Sequence, residues 1–244
     1  HDDILFHQYS FRLSKGKRRG IIGRCPLGPG QPRCPLADRA AQEFRLLQKV
    51  NDLRIDGAAL TPEQRQVLID RLSVKESLKF GDLRKVLGLD ARAKINLEWE
   101  ASEELRGNEI DAQLAKRNLV GPTVWAKLDD AKRDAVWGKV LAFLESDDPQ
   151  DTPARLAETL SREYGVAIAD PAKLEKVSAP KGYLSYSRRA LDRLLPHLRA
   201  GLNLYQAIEA SGYARKWGKS DRLPLPSRIP DLATTNPVVR TVLY

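Results

Sequence analysis

Methionine is missing from all 244 residues, and the chain opens on His1. Together these are expected of a piece taken from a longer protein. Only two cysteines occur, Cys25 and Cys34. Two thiols make no disulfide framework. They also cannot complete the four ligands of a structural zinc site, since no histidine or further cysteine stands close by. They read as small packed thiols. The three histidines, His1, His7 and His197, sit near no carboxylate cluster that would suggest a base or a metal site. No run reaches the ~18 apolar residues of a membrane span. His1-Asp2-Asp3 is an acidic start with no small-residue cleavage site after an apolar core, so no signal peptide and a cytoplasmic setting are expected. Gly-rich phosphate loops ending in Lys-Ser or Lys-Thr, dinucleotide fingerprints and Gly-x-Ser-x-Gly elbows are all absent. Nothing here looks able to cut, transfer or reduce a substrate by itself, and no cofactor is implied for these residues. Alternating β patterns hardly appear either. The expected class is all-α, a multi-helix body with extended Pro/Gly-rich connections.

Positive charge is what the chain has in excess. Lys and Arg number 41 against 32 Asp and Glu, a net charge of +9 and a pI near 9.6. That balance favours a polyanionic partner or an acidic membrane surface. The charge gathers near the N-terminus, at Arg12, Lys15, Lys17, Arg18 and Arg19, where Gly16 and Gly20 permit close backbone approach. A bend carrying Pro26, Pro29, Pro32 and Pro35 follows, too proline-dense for a helix. Asp38 then caps a helix whose apolar face is Phe44, Leu47 and Val50, with Arg45 and Lys49 elsewhere on its surface and an end near 54–57.

Downstream, Thr61-Pro62-Glu63-Gln64 is a helix start. Ser77 to Leu89 reads as a helical unit with an echo at Leu202 to Tyr213, each copy following another helix in the outline of a helix-turn-helix. Gly121-Pro122 opens an element holding Trp125, Trp137 and Leu144, with both tryptophans in the core. Asp129, Asp130 and Asp134 read as an exposed helix face. A helix is expected over roughly 171–177. Pro196 is expected to kink or shorten the late leucine helix. Leu223 to Pro230 reads as a proline-stiffened strap, and Asn236-Pro237 as a helix start with something meant to follow. Four stretches result: a basic arm, bend and first long helix at 1–60, a helical domain at 61–180, a helical hairpin at 181–222 and a strap at 223–244.

Several blocks together resemble one family. Gly23-Arg24-Cys25-Pro26-Leu27-Gly28-Pro29-Gly30 and Glu43 through Asn51-Asp52-Leu53-Arg54-Ile55 are similar to a stretch of the recognition lobe in the type II, especially II-C, RNA-guided CRISPR effector endonucleases (the Cas nine family). Lys79 to Leu89, Ile95-Asn96-Leu97-Glu98, Leu105-Arg106-Gly107-Asn108-Glu109, Gly182 to Tyr213 and Asn236-Pro237-Val238-Val239-Arg240 fit later blocks in the family's order. Asp52 stands where the family usually has a second Asn, and Gln8-Tyr9-Ser10 where it often has Gln-Arg-Pro.

The resemblance implies a non-catalytic lobe that holds guide RNA and the guide–target DNA heteroduplex by backbone and shape contacts. It implies further partners in the remaining nuclease domains of the parent chain and in phage-encoded inhibitor proteins, and no membrane. The nuclease residues, with their Mg, would lie outside this chain. The nominated nucleic-acid contacts are Arg12, Lys15, Lys17, Arg18, Arg19, Arg24, Arg33, Arg45, Lys49, Asn51, Arg54, Lys79, Arg84, Arg106, Asn108, Arg188 and Arg189. Two other readings stand beside it: a stand-alone helix-turn-helix DNA-binding regulator, and a helical protein-interaction scaffold whose charge is incidental.

Overall fold

A computed structural model describes residues 22–98 and 104–213. The basic cluster from Arg12 to Arg19 and the strap beyond Leu223 lie outside them. Among the described residues helix is the dominant element, with three small strand pairs beside it. Helix α1 (Arg39–Asp52) organises the rest. The Asp38 carboxylate accepts from the Ala40 N–H at 2.9 Å and starts it. Its sequence is apolar on two sides, and each side is buried in a different core. Ala40, Ala41, Phe44 and Leu47 pack against the leucines of α8 (Arg188–Arg199) and Ala207 of α9 (Leu204–Ala210). Leu46 and Val50 pack with Leu68 and Leu72 of α2 (Pro62–Ser73) and with Phe80 and Leu83 of α3 (Phe80–Val86). Each such fully buried side chain contributes about 1.5–3 kcal/mol.

A third core is built from α4 (Glu109–Leu114), α5 (Pro122–Lys127), α6 (Asp130–Leu144), α7 (Pro153–Tyr164) and a 3-10 turn at Pro171–Lys176, around Trp125, Trp137, Leu160 and Leu174. Its entry and exit are joined. The Gln113 side-chain amide donates to the Ser178 carbonyl at 3.1 Å and accepts from the Ser178 N–H at 3.0 Å. Among the described residues no helix is long and apolar enough to cross a membrane.

The proline bend is free of helix, as its composition requires, and its extended backbone closes as an antiparallel pair, β1 (Arg24–Cys25) and β2 (Gly28–Pro32). Several expectations need correction. Past the end of α1 the chain folds into β3 (Arg54–Ile55) and β4 (Ala58–Ala59). Their two-residue turn has positive φ at Asp56 (51°) and Gly57 (83°), the Asp-Gly signature of a hairpin. Ser77 to Lys79 is a strand, β5, paired antiparallel with β6 (Glu104–Arg106). The unit preceding α3 is therefore no helical turn, and the outline of a helix-turn-helix is broken there. Asp129 splits the tryptophan element by capping α6. The stretch after Pro171 closes as a 3-10 turn. Helix α8 runs through Pro196 to Arg199, because the proline stands in its last turn and faces out.

Candidate nucleic-acid interface

Residues 45, 48 and 49 share one stripe of α1, since positions three and four apart on a helix are surface neighbours. Arg45, Gln48 and Lys49 thereby form one wall of a cleft of about 260 Å³. Phe80, Leu97 and Leu105 supply apolar lining, and Glu104, Arg106 and Gly107 complete it. Strand register sets Lys79 opposite Glu104 at its edge. The cleft thus brings together Arg45, Lys49 and Arg106 from the nominated set, with Lys79 adjoining. Arg106 is 67% exposed and Arg45 30% exposed, so both guanidiniums reach solvent. The Glu109 carboxylate lies 3.6 Å from Arg45 and 3.8 Å from Arg106.

The backbone beside Arg106 is fixed by contact. Gly107 N–H donates to the Glu76 carbonyl at 2.9 Å, and Asn108 N–H to the Leu72 carbonyl at 2.9 Å. A Cβ on Gly107 would stand 2.1 Å from the Lys75 carbonyl oxygen and 2.4 Å from that of Leu72. Only glycine fits, so the Leu105-Arg106-Gly107-Asn108-Glu109 block is a backbone requirement before it is a charge pattern.

Other nominated residues are placed differently. Asn51 is 8% exposed. Its amide donates to the Leu198 and Leu202 carbonyls at 2.9 and 2.7 Å, and its oxygen accepts from Arg65 Nε at 2.7 Å. Asn108 is 4% exposed and caps α4 through the Asp111 N–H at 3.0 Å. Both are corrected from contact residues to internal braces, because neither side chain is presented to a ligand. Arg54 bonds the Asn51 and Leu53 carbonyls at the end of α1. Arg84 grips the Ala93 carbonyl and Glu98, and the Glu98 pairing holds its pKa above the usual value. Arg188 forks between Asp38 and Asp192. Burial opposes its charge, but those two carboxylates outweigh burial and raise its pKa. Arg24 lies in β1 and Arg33 directly follows β2, with Arg33 Nε donating to the Arg24 carbonyl at 3.4 Å. Lys79 and Arg189 are exposed and have no side-chain partner among the described residues.

Sequence reasoning missed Arg39. It is 9% exposed, and its guanidinium takes Asp111 in a fork at 2.7 and 3.0 Å and Asp134 at 2.5 Å, 6.0 Å from the Trp125 ring centre. Burial works against this charge, yet the two carboxylates hold its pKa above normal. Asp134 and Asp130 are therefore more than a solvated face: Asp134 pairs with Arg39, and Asp130 approaches Arg39 and Arg199. Gln48 was findable, being three residues from Arg45. Glu109 was not, because its role depends on where α4 docks.

The model of the Cas9 alpha-helical lobe domain matches residues 16–211. A CRISPR-associated endonuclease Cas9 of Corynebacterium diphtheriae is 25% identical over 230 residues, covering 88% of this chain and 21% of the relative. The chain spans about a fifth of the length of the curated relatives it matches. The Type II-C Cas9 enzyme from Actinomyces naeslundii has the same fold, with a TM-score of 0.53 at 23% identity, over 84% of this chain and 23% of that one. A St1Cas9-sgRNA-AcrIIA6-tDNA59-ntPAM complex aligns with a TM-score of 0.51 at 17% identity, over 83% of this chain and 25% of that one. With most of its length matched by that model, this chain belongs to the Cas9 alpha-helical lobe family.

Proposed function

We propose that this chain is the nucleic-acid-binding recognition lobe of an RNA-guided DNA endonuclease. It holds guide RNA and the guide–target heteroduplex through backbone and shape contacts, while base pairing selects sequence and cutting belongs to nuclease domains, with their Mg, elsewhere in the parent protein. The observation that carries this reading is the convergence of Arg45, Lys49 and Arg106 on one cleft with Lys79 at its edge, in a chain of net charge +9. Cations fixed on rigid elements are what phosphate positioning requires. The presence of sgRNA, target DNA and AcrIIA6 in the St1Cas9 assembly supports guide RNA, target DNA and inhibitor proteins as the classes of partner. The helix-turn-helix alternative is weakened by strand β5 and by the shortness of α3 and α9.

The test is guide-RNA binding by the chain over a salt series. Replacing Arg45, Lys49 and Arg106 together by alanine should lower affinity and reduce the log–log salt slope by about 2–3. Unchanged affinity and slope would overturn the reading.

A further inference from the structure

We propose that the cleft beside α1 holds a subsite for one unpaired guanine base of an RNA strand, and that Glu104 is the residue that reads it. The inference rests on the nucleic-acid-binding reading of that cleft and deepens it. Phosphate alone accounts for Arg45, Lys49 and Arg106. It does not account for the rest of the lining, which is apolar at Phe80, Leu97 and Leu105 and carries the Gln48 amide and the Glu104 carboxylate. A carboxylate repels phosphate, and apolar surface offers it nothing. Both suit the base of the same nucleotide. At about 260 Å³ the concavity lies just below the usual range of small-molecule sites, so it takes a single nucleotide and not a double helix.

Glu104 is held at the wall of the cleft. Antiparallel pairing of β5 and β6 sets Lys79 directly across from it, and the Ser77 hydroxyl donates to its Oε2 at 2.8 Å. The four bases differ in what their Watson–Crick edges offer such a group. Guanine alone places two donors side by side, N1–H and the N2 amine, and these match the two oxygens of a carboxylate as a guanidinium fork does. Its O6 accepts from a neighbouring donor, for which Gln48 and Arg45 are both in the lining. Adenine N1, cytosine N3 and the uracil carbonyls each turn an acceptor towards the carboxylate, so these bases are refused by repulsion as much as by lost bonds. In a paired duplex the same edge is already used. The ligand is therefore a nucleotide in a bulge, loop or single strand, where RNA bases are splayed out and read on that edge.

The experiment measures binding of the full chain to a short RNA duplex with one bulged nucleotide, which is guanosine, adenosine, cytidine, uridine or inosine, beside the fully paired duplex. Bulged guanosine should bind about ten-fold tighter than the paired duplex, and the adenosine, cytidine and uridine bulges within about two-fold of it. Inosine lacks the N2 amine and should bind about three-fold more weakly than guanosine, a comparison made on unaltered protein. Glu104→Gln keeps an oxygen for Ser77 but loses the paired acceptors. It should bring guanosine to within about two-fold of adenosine, with a thermal melt alongside to check the fold. Equal binding of all the bulged duplexes, inosine bound as well as guanosine, or an undiminished guanosine preference in folded Glu104→Gln overturns the subsite. Arg45→Ala with Arg106→Ala is measured in parallel. Undiminished binding of the paired duplex there would sink the phosphate cleft itself. Weakened binding of every ligand there, with no guanosine preference in the parent, would sink only the guanine subsite.

Discussion

At Gly107 a single hydrogen decides whether β6 and α2 can meet. Substituting alanine drives a methyl into two carbonyl oxygens, at 2.1 and 2.4 Å, and the backbone must give way. Gly107→Ala is expected to destabilise the chain by about 2–3 kcal/mol, read as a lower urea midpoint, and to weaken RNA binding through displacement of Arg106. Cys34 makes a second residue-level case. Burial, then Asp38, pushes its thiol up to about 12 from an ordinary value of 9.0. The folded chain therefore keeps the proton while the unfolded chain loses it, so stability falls as pH rises from 9.0 towards 12. The limiting slope is about 1.4 kcal/mol per pH unit. Urea melts at pH 8 and pH 10 should show the parent losing more stability than Cys34→Ala. The thiol should also resist alkylation in the folded chain at pH 8.

Elements were legible in the sequence where their signals are local. Helix α1 could be placed because Asp38 caps it and Phe44, Leu47 and Val50 repeat at helical spacing, and α2 because Thr61 and Gln64 cap each other reciprocally. The strands were not legible. Each is two to five residues long, and β5 finds its partner 25 residues or more downstream, so no alternation could build up. The candidate cleft was half legible for the same reason: Arg45 and Lys49 share a helix, whereas Arg106 joins them only through strand pairing. Asn51 looked like a ligand contact but ties the end of α1 to the end of α8. Asn51→Ala would leave the Leu198 and Leu202 carbonyls and Arg65 short of a partner. A loss of about 2–3 kcal/mol in chemical denaturation is expected, with the salt slope of RNA binding unchanged.

At the largest scale, among the described residues, two cores share helix α1 and a third is fastened to it by Arg39. Removing that guanidinium alone strands the buried Asp111, whereas removing both removes the problem. Arg39→Ala should therefore cost about 3–5 kcal/mol and speed amide exchange over 108–177, while Arg39→Met with Asp111→Leu should recover most of the loss. A double-mutant cycle in urea checks this. Charge neutralisation at Lys15, Lys17, Arg18 and Arg19 belongs to the same scale: RNA binding over a salt series should weaken with a shallower slope.

The clasp between Gln113 and Ser178 has a wider consequence. The polypeptide leaves for the tryptophan-rich helices and comes back at one doorway, since the two residues are joined by a pair of hydrogen bonds. A protein engineer could treat everything beyond that doorway as a cassette. It could be trimmed, or exchanged for a relative's version, by splicing at two adjacent points, with the arginine-lined cleft on the other side left in place.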